Sequence, residues 1–385
     1  MSKLSPQSGW SGWSGWSGWS GWSGWSGWSG SSGWSGWSGA PPSDEAGGPL
    51  IADALIRTRD GIVGRWDPPS DTPSPRTLDY DEHLALWDPV VRASILDFEM
   101  FSRLGFSRSG DTFSLSHLEF TGGVWKHLKL VDMTRPTHDQ FKEQLRFVDS
   151  YADLRPDRAP EVLSQLGMGR AFYSAIPYLR PDRTKWTFEL LGAAERLSIL
   201  AQMRFKHALA CRRPIEYSPQ VQPIIQTPSH ATLPSGHATE AFIASHVLWS
   251  LLRSVAVKPY SDEGWGTQLM RLASRVAINR TVAGLHFPVD SAAGAVLGLT
   301  LGQYFVARCT KATEYDAWEF DGTKFPRSGT PPNDGDFYWS ELYDESSAKQ
   351  EATTYAIGPD RQTPIAADQS PLLSWLWAKA KAEWT

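Results

Sequence analysis

The chain has 385 residues, 41% of them hydrophobic, with a formal net charge of −5 and only two cysteines, Cys211 and Cys309. This composition suits an enzyme-sized globular protein, and it gives no electrostatic basis for binding nucleic acid or an anionic membrane surface. Two cysteines do not make a disulfide framework, so a reducing compartment is compatible with the chain. The first residues lack the charged and apolar regions of a secretory signal, and the longest apolar runs fall short of the roughly 20 residues that cross a bilayer. We therefore expect no transmembrane segment; the compartment is left open, with the cytoplasm as the default.

Residues 8–39 repeat the triplet Ser-Gly-Trp, and residues 40–49 continue as a linker rich in proline and glycine. Ser and Gly supply no core, and a period of three fits neither an α-helix nor a strand; only an extended polyproline-like ribbon would align the indoles. We predict that residues 1–49 are a disordered low-complexity tail. The alternative is an aromatic tail that binds carbohydrate or a membrane interface, or that self-associates.

Residues 50–385 are predicted to form a single helical domain. Up to about residue 185, proline-rich turns alternate with helical patches. From 186 to 308, apolar residues recur every three or four positions, which is typical of amphipathic helices. Residues 310–385 are expected to be an irregular extension that ends in an amphipathic helix at 370–384. Because little in the chain reads as strand, the predicted fold class is an all-α helical bundle.

Two cations, Lys206 and Arg213, lie seven residues apart near the end of the first of these helices. Two helical turns would place them on nearly the same face, and Pro214 would end the helix because the residue before proline avoids α geometry. By itself, such a pair is more often a solvated basic face than a binding site.

The segment Pro234–His237 reads Pro-Ser-Gly-His directly before an apolar helical run. Backbone N–H groups at a helix start have no partner within the helix, so Ser235 is predicted to cap it and Gly236 to allow a close backbone approach. These features form a candidate anion site. An ordinary capped helix with an incidental His237 explains the segment at least as well.

The third segment spans residues 279–294 and places Arg280 near a helix end. His286 lies just before the next predicted helix, whose first turn contains Asp290. The carboxylate would interact favourably with the helix dipole. It would also accept a hydrogen bond from one ring nitrogen of His286, leaving the other nitrogen as nucleophile or ligand. A capping aspartate beside a satisfied histidine is the alternative.

In order and spacing, the three segments resemble the signature of the superfamily that joins type 2 phosphatidic acid phosphatases with vanadium-dependent haloperoxidases. The resemblance covers residues 206–290, and the flanking helices fit the family's helical core only in a general way. One position departs from the signature, since Asn279 stands where the family usually has serine before the arginine. Three separately spaced motifs in the right order form a specific signal.

The resemblance implies a site for a tetrahedral oxyanion, either phosphate or vanadate, whose burial demands cations and directed donors. The residues that would hold the anion are Lys206, Arg213, Ser235, Gly236 and Arg280. In the family, the histidine matching His237 acts as acid or base. The histidine matching His286, oriented by Asp290, attacks phosphorus or coordinates vanadium as the metal ligand.

Two reactions fit this signature. A haloperoxidase would hold vanadate on His286 and use Lys206 and His237 to activate hydrogen peroxide, so that a halide is oxidised to hypohalous acid. A soluble phosphatase would cleave phosphomonoesters through a phosphohistidine and would need no cofactor. A non-catalytic module built around the tryptophan tail is a third reading, but none of the anion-site residues has been lost.

We favour the haloperoxidase, with bromide or iodide as substrate. The lipid phosphatases of the superfamily resemble multi-span membrane proteins, whereas no transmembrane segment is expected here. Its soluble bacterial phosphatases are typically compact and secreted, whereas this chain is larger and shows no secretory signal. His230 lies seven residues before His237, where algal bromoperoxidases resemble this chain and fungal chloroperoxidases carry phenylalanine. It would tune peroxide protonation or halide access; a loop histidine without a role is the alternative. The resemblance also implies a homodimer as an expectation. The remaining histidines show no metal-ligand spacing, namely His83, His117, His127, His138, His207 and His246.

Overall fold

The computed structural model describes residues 49–67, 71, 73–167, 169–365 and 369–385. The Ser-Gly-Trp repeat and most of the linker, for which disorder is predicted, lie outside these residues. The helices are α1 (Pro49–Ile62), α2 (Pro89–Phe101), α3 (His138–Ala152), α4 (Arg155–Ser164), α5 (Arg170–Ser174), α6 (Lys185–Leu209), α7 (Gly236–Val255), α8 (Glu263–Val282), α9 (Pro288–Thr310) and α10 (Pro371–Ala382). The strands are β1 (Leu104–Ser109), β2 (Thr112–Thr121), β3 (Val124–Thr134), β4 (Tyr315–Asp321), β5 (Tyr343–Asp344), β6 (Lys349–Gln350) and β7 (Ala356–Gln362).

Helices α6 to α9 form the centre of the molecule, where the sequence predicts four long helices. Residues on nearly every side of α7 and α9 are buried, as expected for helices surrounded by other elements. The two helices approach closely because a glycine lies where they touch. A Cβ atom added at Gly298 would come within 2.5 Å of the carbonyl oxygen of Thr239 on α7. This contact brings the starts of α7 and α9 side by side.

A five-stranded sheet flanks the helices, so the prediction of an all-α fold is wrong. Its strand order is β1-β2-β3-β4-β7, with β3 and β4 parallel and the other neighbours antiparallel. The hairpin between β2 and β3 turns at Gly122 and Gly123, whose φ angles of 61° and 80° suit a two-residue turn. Apolar and polar residues alternate along β2, and this period-two pattern went unrecognised beside the stronger helical periodicity.

The C-terminal segment is more regular than expected. Instead of an irregular extension, residues 310–385 supply β4 and β7 to the sheet and end in α10, close to the predicted helix at 370–384. The carboxylate of Glu383 accepts hydrogen bonds of 2.8 Å from the backbone N–H groups of Trp186 and Thr187 at the start of α6. The end of the chain therefore caps the helix that carries Lys206.

Among the described residues, no helix combines the length and the apolar character needed to span a lipid bilayer.

Replacing Gly298 by alanine is expected to lower the free energy of unfolding by about 1–3 kcal/mol, because the new methyl group collides with the α7 backbone. Gly264→Ala is the matched control, since Gly264 is exposed in the first turn of α8 and a Cβ there meets nothing within 4 Å. The control is expected to change stability by less than about 1 kcal/mol. Urea unfolding followed by circular dichroism measures both values. Equal stability of the two variants would contradict the close α7–α9 contact.

Candidate functional site

The three predicted segments converge where the end of α6, the start of α7, the end of α8 and the start of α9 meet. Their charged and polar side chains are buried, each no more than 4% exposed. The side chains brought together in this way are Lys206, Arg213, Ser235, His237, Arg280, His286 and Asp290. Four helix ends thus enclose a site that is rich in positive charge.

Lys206 holds the loop that leads into α7. Its ammonium group donates hydrogen bonds to the carbonyl oxygens of Ala231, Thr232 and Pro234, at 3.2, 3.0 and 2.6 Å. Burial, and then the charge of Arg213, lowers the pKa of Lys206 well below its ordinary value. The three hydrogen bonds use every donor of the ammonium group and fix the backbone immediately before Ser235.

Arg213 reaches the same site from a loop rather than from a helix. Helix α6 ends at Leu209, so the expected helical spacing of Lys206 and Arg213 is not what brings them together. The Nη1 atom of Arg213 lies 2.9 Å from Nε2 of His286, and Nη2 lies 3.0 Å from Nδ1 of His230. Burial lowers the pKa of Arg213 to about 10, so the guanidinium stays charged at neutral pH. His230 thus lies against Arg213, and its effect on halide oxidation stays a prediction.

Arg280 enters from the last turn of α8 and is fully buried. Its Nη2 atom donates to the carbonyl oxygen of Val162 and to Oε1 of Gln165, both at 3.2 Å. Its Nε and Nη1 atoms have no hydrogen-bond partner among the described residues. Burying unpaired N–H groups of a cation is costly, so this guanidinium is suited to receive an anion. Asn279 lies beside it and donates to the same Gln165 oxygen at 2.9 Å.

His286 and Asp290 form the expected pair. The Nδ1 atom of His286 lies 3.2 Å from Oδ2 of Asp290 and 3.1 Å from the hydroxyl of Thr232, which itself donates to Oδ2 at 2.5 Å. The backbone N–H of Phe287 donates to the same oxygen at 2.8 Å. Because Arg213 can only donate, Nε2 of His286 is the acceptor and Nδ1 carries the proton. The Nε2 lone pair therefore points toward the cations.

The electrostatics keep His286 neutral. Burial, and then the charges of Arg213 and Lys206, lowers its pKa well below the usual range. Burial raises the pKa of Asp290 to about 6, and the hydrogen bonds from Thr232 and Phe287 oppose that rise. At neutral pH the pair is therefore a neutral imidazole held by a carboxylate.

His237, in the first turn of α7, lies near the same cations. Burial, and then the charge of Arg280, lowers its pKa well below the usual value. Neither ring nitrogen has a close hydrogen-bond partner among the described residues, although the backbone of Gln165 and Leu166 lies near enough to favour the charged form. The ring borders a cavity of about 20 Å³. Its nitrogens are thus available to exchange a proton with a small ligand.

Ser235 and Gly236 shape the start of α7. Ser235 is the N-cap residue, and its hydroxyl accepts from the backbone N–H of Ala238 at 3.5 Å. A Cβ atom added at Gly236 would come within 2.6 Å of the side-chain oxygen of Gln202, so glycine is needed for the close packing. The backbone N–H of Ser235 donates to the carbonyl oxygen of Asp290 at 2.9 Å, which joins the second motif to the third.

Sequence reasoning missed several polar residues of the site. Thr232 joins Asp290 to His286, Gln165 contacts Arg280, and Glu240 accepts a hydrogen bond from Gln202 at 2.6 Å. No local pattern marks these residues, because their partners are distant in sequence. The histidines outside the motifs do not assemble elsewhere: in the described parts of the chain, no group of three or more His, Cys, Asp or Glu side chains could hold a metal ion.

Comparison with known proteins supports the resemblance at the level of the superfamily. Residues 189–314 match the family model described as "PAP2 superfamily", a segment that contains all three motifs. A comparison with curated proteins finds no match to the chain. Members of this superfamily are generally enzymes, among them phosphatases and haloperoxidases.

Replacing Arg280 by methionine is expected to weaken the binding of orthovanadate and of phosphate at least about tenfold, because the charged N–H groups that face the site are lost. Arg271→Met is the matched control, since Arg271 lies on the same helix and is exposed. Isothermal titration calorimetry measures the dissociation constants, and circular dichroism verifies that both variants are folded. A folded R280M variant that binds both anions as tightly as R271M would exclude Arg280 from the anion site.

Proposed function

We propose that this PAP2 superfamily domain is a vanadium-dependent haloperoxidase that oxidises bromide or iodide with hydrogen peroxide to hypohalous acid. One observation carries the proposal. Arg280 is fully buried, with two donor nitrogens unpaired among the described residues. It lies near His237, whose pKa both Arg280 and Lys206 lower, and Lys206 and Arg213 in turn lower the pKa of His286. A buried cluster of cations with donors left over is complementary to a tetrahedral oxyanion.

The residues present fit vanadate. Lys206, Arg213 and Arg280 would neutralise its charge, and the start of α7 at Ser235 and Gly236 would add donors. The Nε2 atom of His286 would be the protein ligand to the metal. When bound, vanadate supplies a Lewis-acidic centre that activates hydrogen peroxide for attack by a halide.

Asp290 and Thr232 prepare His286 for this role. The carboxylate and the hydroxyl hold the proton on Nδ1, so Nε2 keeps its lone pair; this lone pair accepts from Arg213 here and would be given to the metal when vanadate is bound. The low pKa of His286 keeps this lone pair free of a proton at neutral pH. The same arrangement would suit a nucleophilic histidine, and for that reason the tautomer alone does not choose between peroxidase and phosphatase.

His237 is the acid and base of the proposed reaction. Halide oxidation consumes one proton, since hydrogen peroxide, a halide ion and a proton give hypohalous acid and water. The halide loses two electrons and the peroxide gains them, while the proton ends in water. A ring nitrogen of His237 would pass that proton to the reacting oxygen, and the Lys206 charge would stabilise the negative charge that develops there.

The enclosure of the site favours small reactants over an ester. His286 and Arg280 are 1% and 0% exposed, and the cavity at His237 measures about 20 Å³. Peroxide and halide are small enough to reach a site with so little solvent exposure, whereas a phosphomonoester must also accommodate its alcohol. His230, which contacts Arg213 at 3.0 Å, adds a neutral imidazole at the edge of the site because burial lowers its pKa to about 3.

Apo-protein reconstituted with orthovanadate is expected to brominate a phenolic dye in the presence of hydrogen peroxide and bromide. His286→Ala is expected to abolish this activity because the metal ligand is lost, while the exposed His207→Ala is expected to leave it unchanged. Release of phosphate from p-nitrophenyl phosphate is measured in parallel without vanadate. Cleavage of the ester without vanadate, together with no bromination when vanadate is present, would overturn the proposal in favour of a phosphatase.

A further inference from the structure

Glu240 is a buried carboxyl group one helical turn below His237. The two residues are separated by three positions on α7 and therefore share one face of the helix. Glu240 is 5% exposed, and its Oε1 atom accepts a hydrogen bond of 2.6 Å from the side-chain amide of Gln202 on α6. The motifs of the sequence give this carboxyl group no role.

His237 and Glu240 border the same cavity. Its volume of about 20 Å³ is room for one water molecule, which needs roughly 10–15 Å³. Gln165 and Tyr173 also line it, together with Gly167 and Gly169. A water there would have polar partners on several sides, among them the histidine ring and the carboxyl group. One water molecule in this cavity would connect the side chains of His237 and Glu240.

The charges around Glu240 keep its proton in place. The ionisable groups that interact with Glu240 are Glu195 and Lys206 from α6, Arg280 from α8 and Tyr173 from α5. In the described parts of α9 and α10, no residue is among the main causes of its pKa shift. Burial, and then the negative charge of Glu195, raises the pKa of Glu240 well above its ordinary value. Glu240 is therefore neutral and protonated at neutral pH.

The proposed reaction requires such a group. Each halide oxidised consumes a proton, and His237 must be recharged after each turnover. Bringing a bare proton into a buried pocket with Lys206 and Arg280 is opposed by their charges. A neutral carboxylic acid carries the proton without that penalty, and once ionised it gains the attraction of the same two cations.

We propose that Glu240 is the proton-relay residue that recharges His237 through the cavity that the two side chains share. His237 stays neutral throughout: one ring nitrogen gives its proton to the reacting oxygen while the other gains the proton from the carboxyl O–H bond of Glu240, either directly or through one water. The hydrogen bond from Gln202 stabilises the carboxylate that remains. Solvent supplies the replacement proton, and Glu195, whose charge acts on Glu240 and whose pKa burial raises to about 7, is the neighbouring group that passes it on.

This inference rests on the proposed haloperoxidase function, because phosphoester hydrolysis consumes no net proton in the acid and base steps of His237. Glu240 does not touch the reacting atoms and acts only through His237. Its substitution is therefore expected to change proton delivery and to leave anion binding intact.

Glu240→Gln tests the relay, because glutamine keeps the size, the neutral charge and the acceptor for Gln202 but has no transferable proton. The variant is expected to lower kcat for bromide oxidation at least about tenfold and to raise the solvent deuterium isotope effect. The KM for peroxide and the orthovanadate dissociation constant are expected to stay within about twofold. Glu240→Asp restores a transferable proton and is expected to recover part of kcat.

A second readout does not depend on turnover. The infrared difference spectrum of wild-type minus E240Q apo-protein is expected to show the carbonyl band of a protonated carboxyl group at pH 7. Absence of that band would overturn the inference, as would unchanged kcat and isotope effect in E240Q while the wild-type protein oxidises bromide. If the band is present but the vanadate-loaded wild-type protein oxidises no halide, the proposed function is wrong, and the role of Glu240 in halide oxidation is wrong with it.

Discussion

The structure depends on the burial of three basic side chains around one neutral histidine. Lys206, Arg213 and Arg280 are each no more than 3% exposed, and burial lowers the pKa of all three. Such a cluster is tolerated only where its donors find acceptors. Backbone carbonyl groups satisfy Lys206, and two carbonyl groups and two histidine nitrogens contact Arg213, whereas Arg280 retains donors that have no partner among the described residues. The surplus of positive charge is what makes the site suited to an oxyanion.

The fold brings these groups together by aligning helix ends. The close contact at Gly298 sets the starts of α7 and α9 side by side, and the hydrogen bond from Ser235 to the Asp290 carbonyl locks them. The His237 turn and the His286–Asp290 pair then face the same volume. The sheet and α10 support α6 and α9 from outside, so residues far from the motifs help to hold the site rigid.

The sequence predicts which side chains come together better than it predicts the fold. The resemblance of three short local segments to a family signature marks Lys206, Arg213, His237, Arg280 and His286, and their functional roles stay a prediction. Arg213 nevertheless reaches the site from a loop, so the helical argument for its position is wrong even though its neighbours are as expected. Part of the sheet carries a local signal, namely the alternation along β2 and the turn at Gly122 and Gly123, which the stronger helical periodicity outweighs. The pairing of β3 with β4, nearly two hundred residues later in the chain, has no local pattern that predicts it. Thr232 and Glu240 were missed for the same reason, since their roles come from tertiary neighbours.

The central claim is that the buried cluster of cations around His286 holds a tetrahedral oxyanion, and a crystal structure of the protein grown with orthovanadate tests it most directly. The account predicts vanadium bonded to Nε2 of His286, with vanadate oxygens within hydrogen-bond distance of Arg213, Arg280 and the start of α7. Vanadate bound only on the outer surface, with water filling the pocket at full ligand concentration, would contradict it.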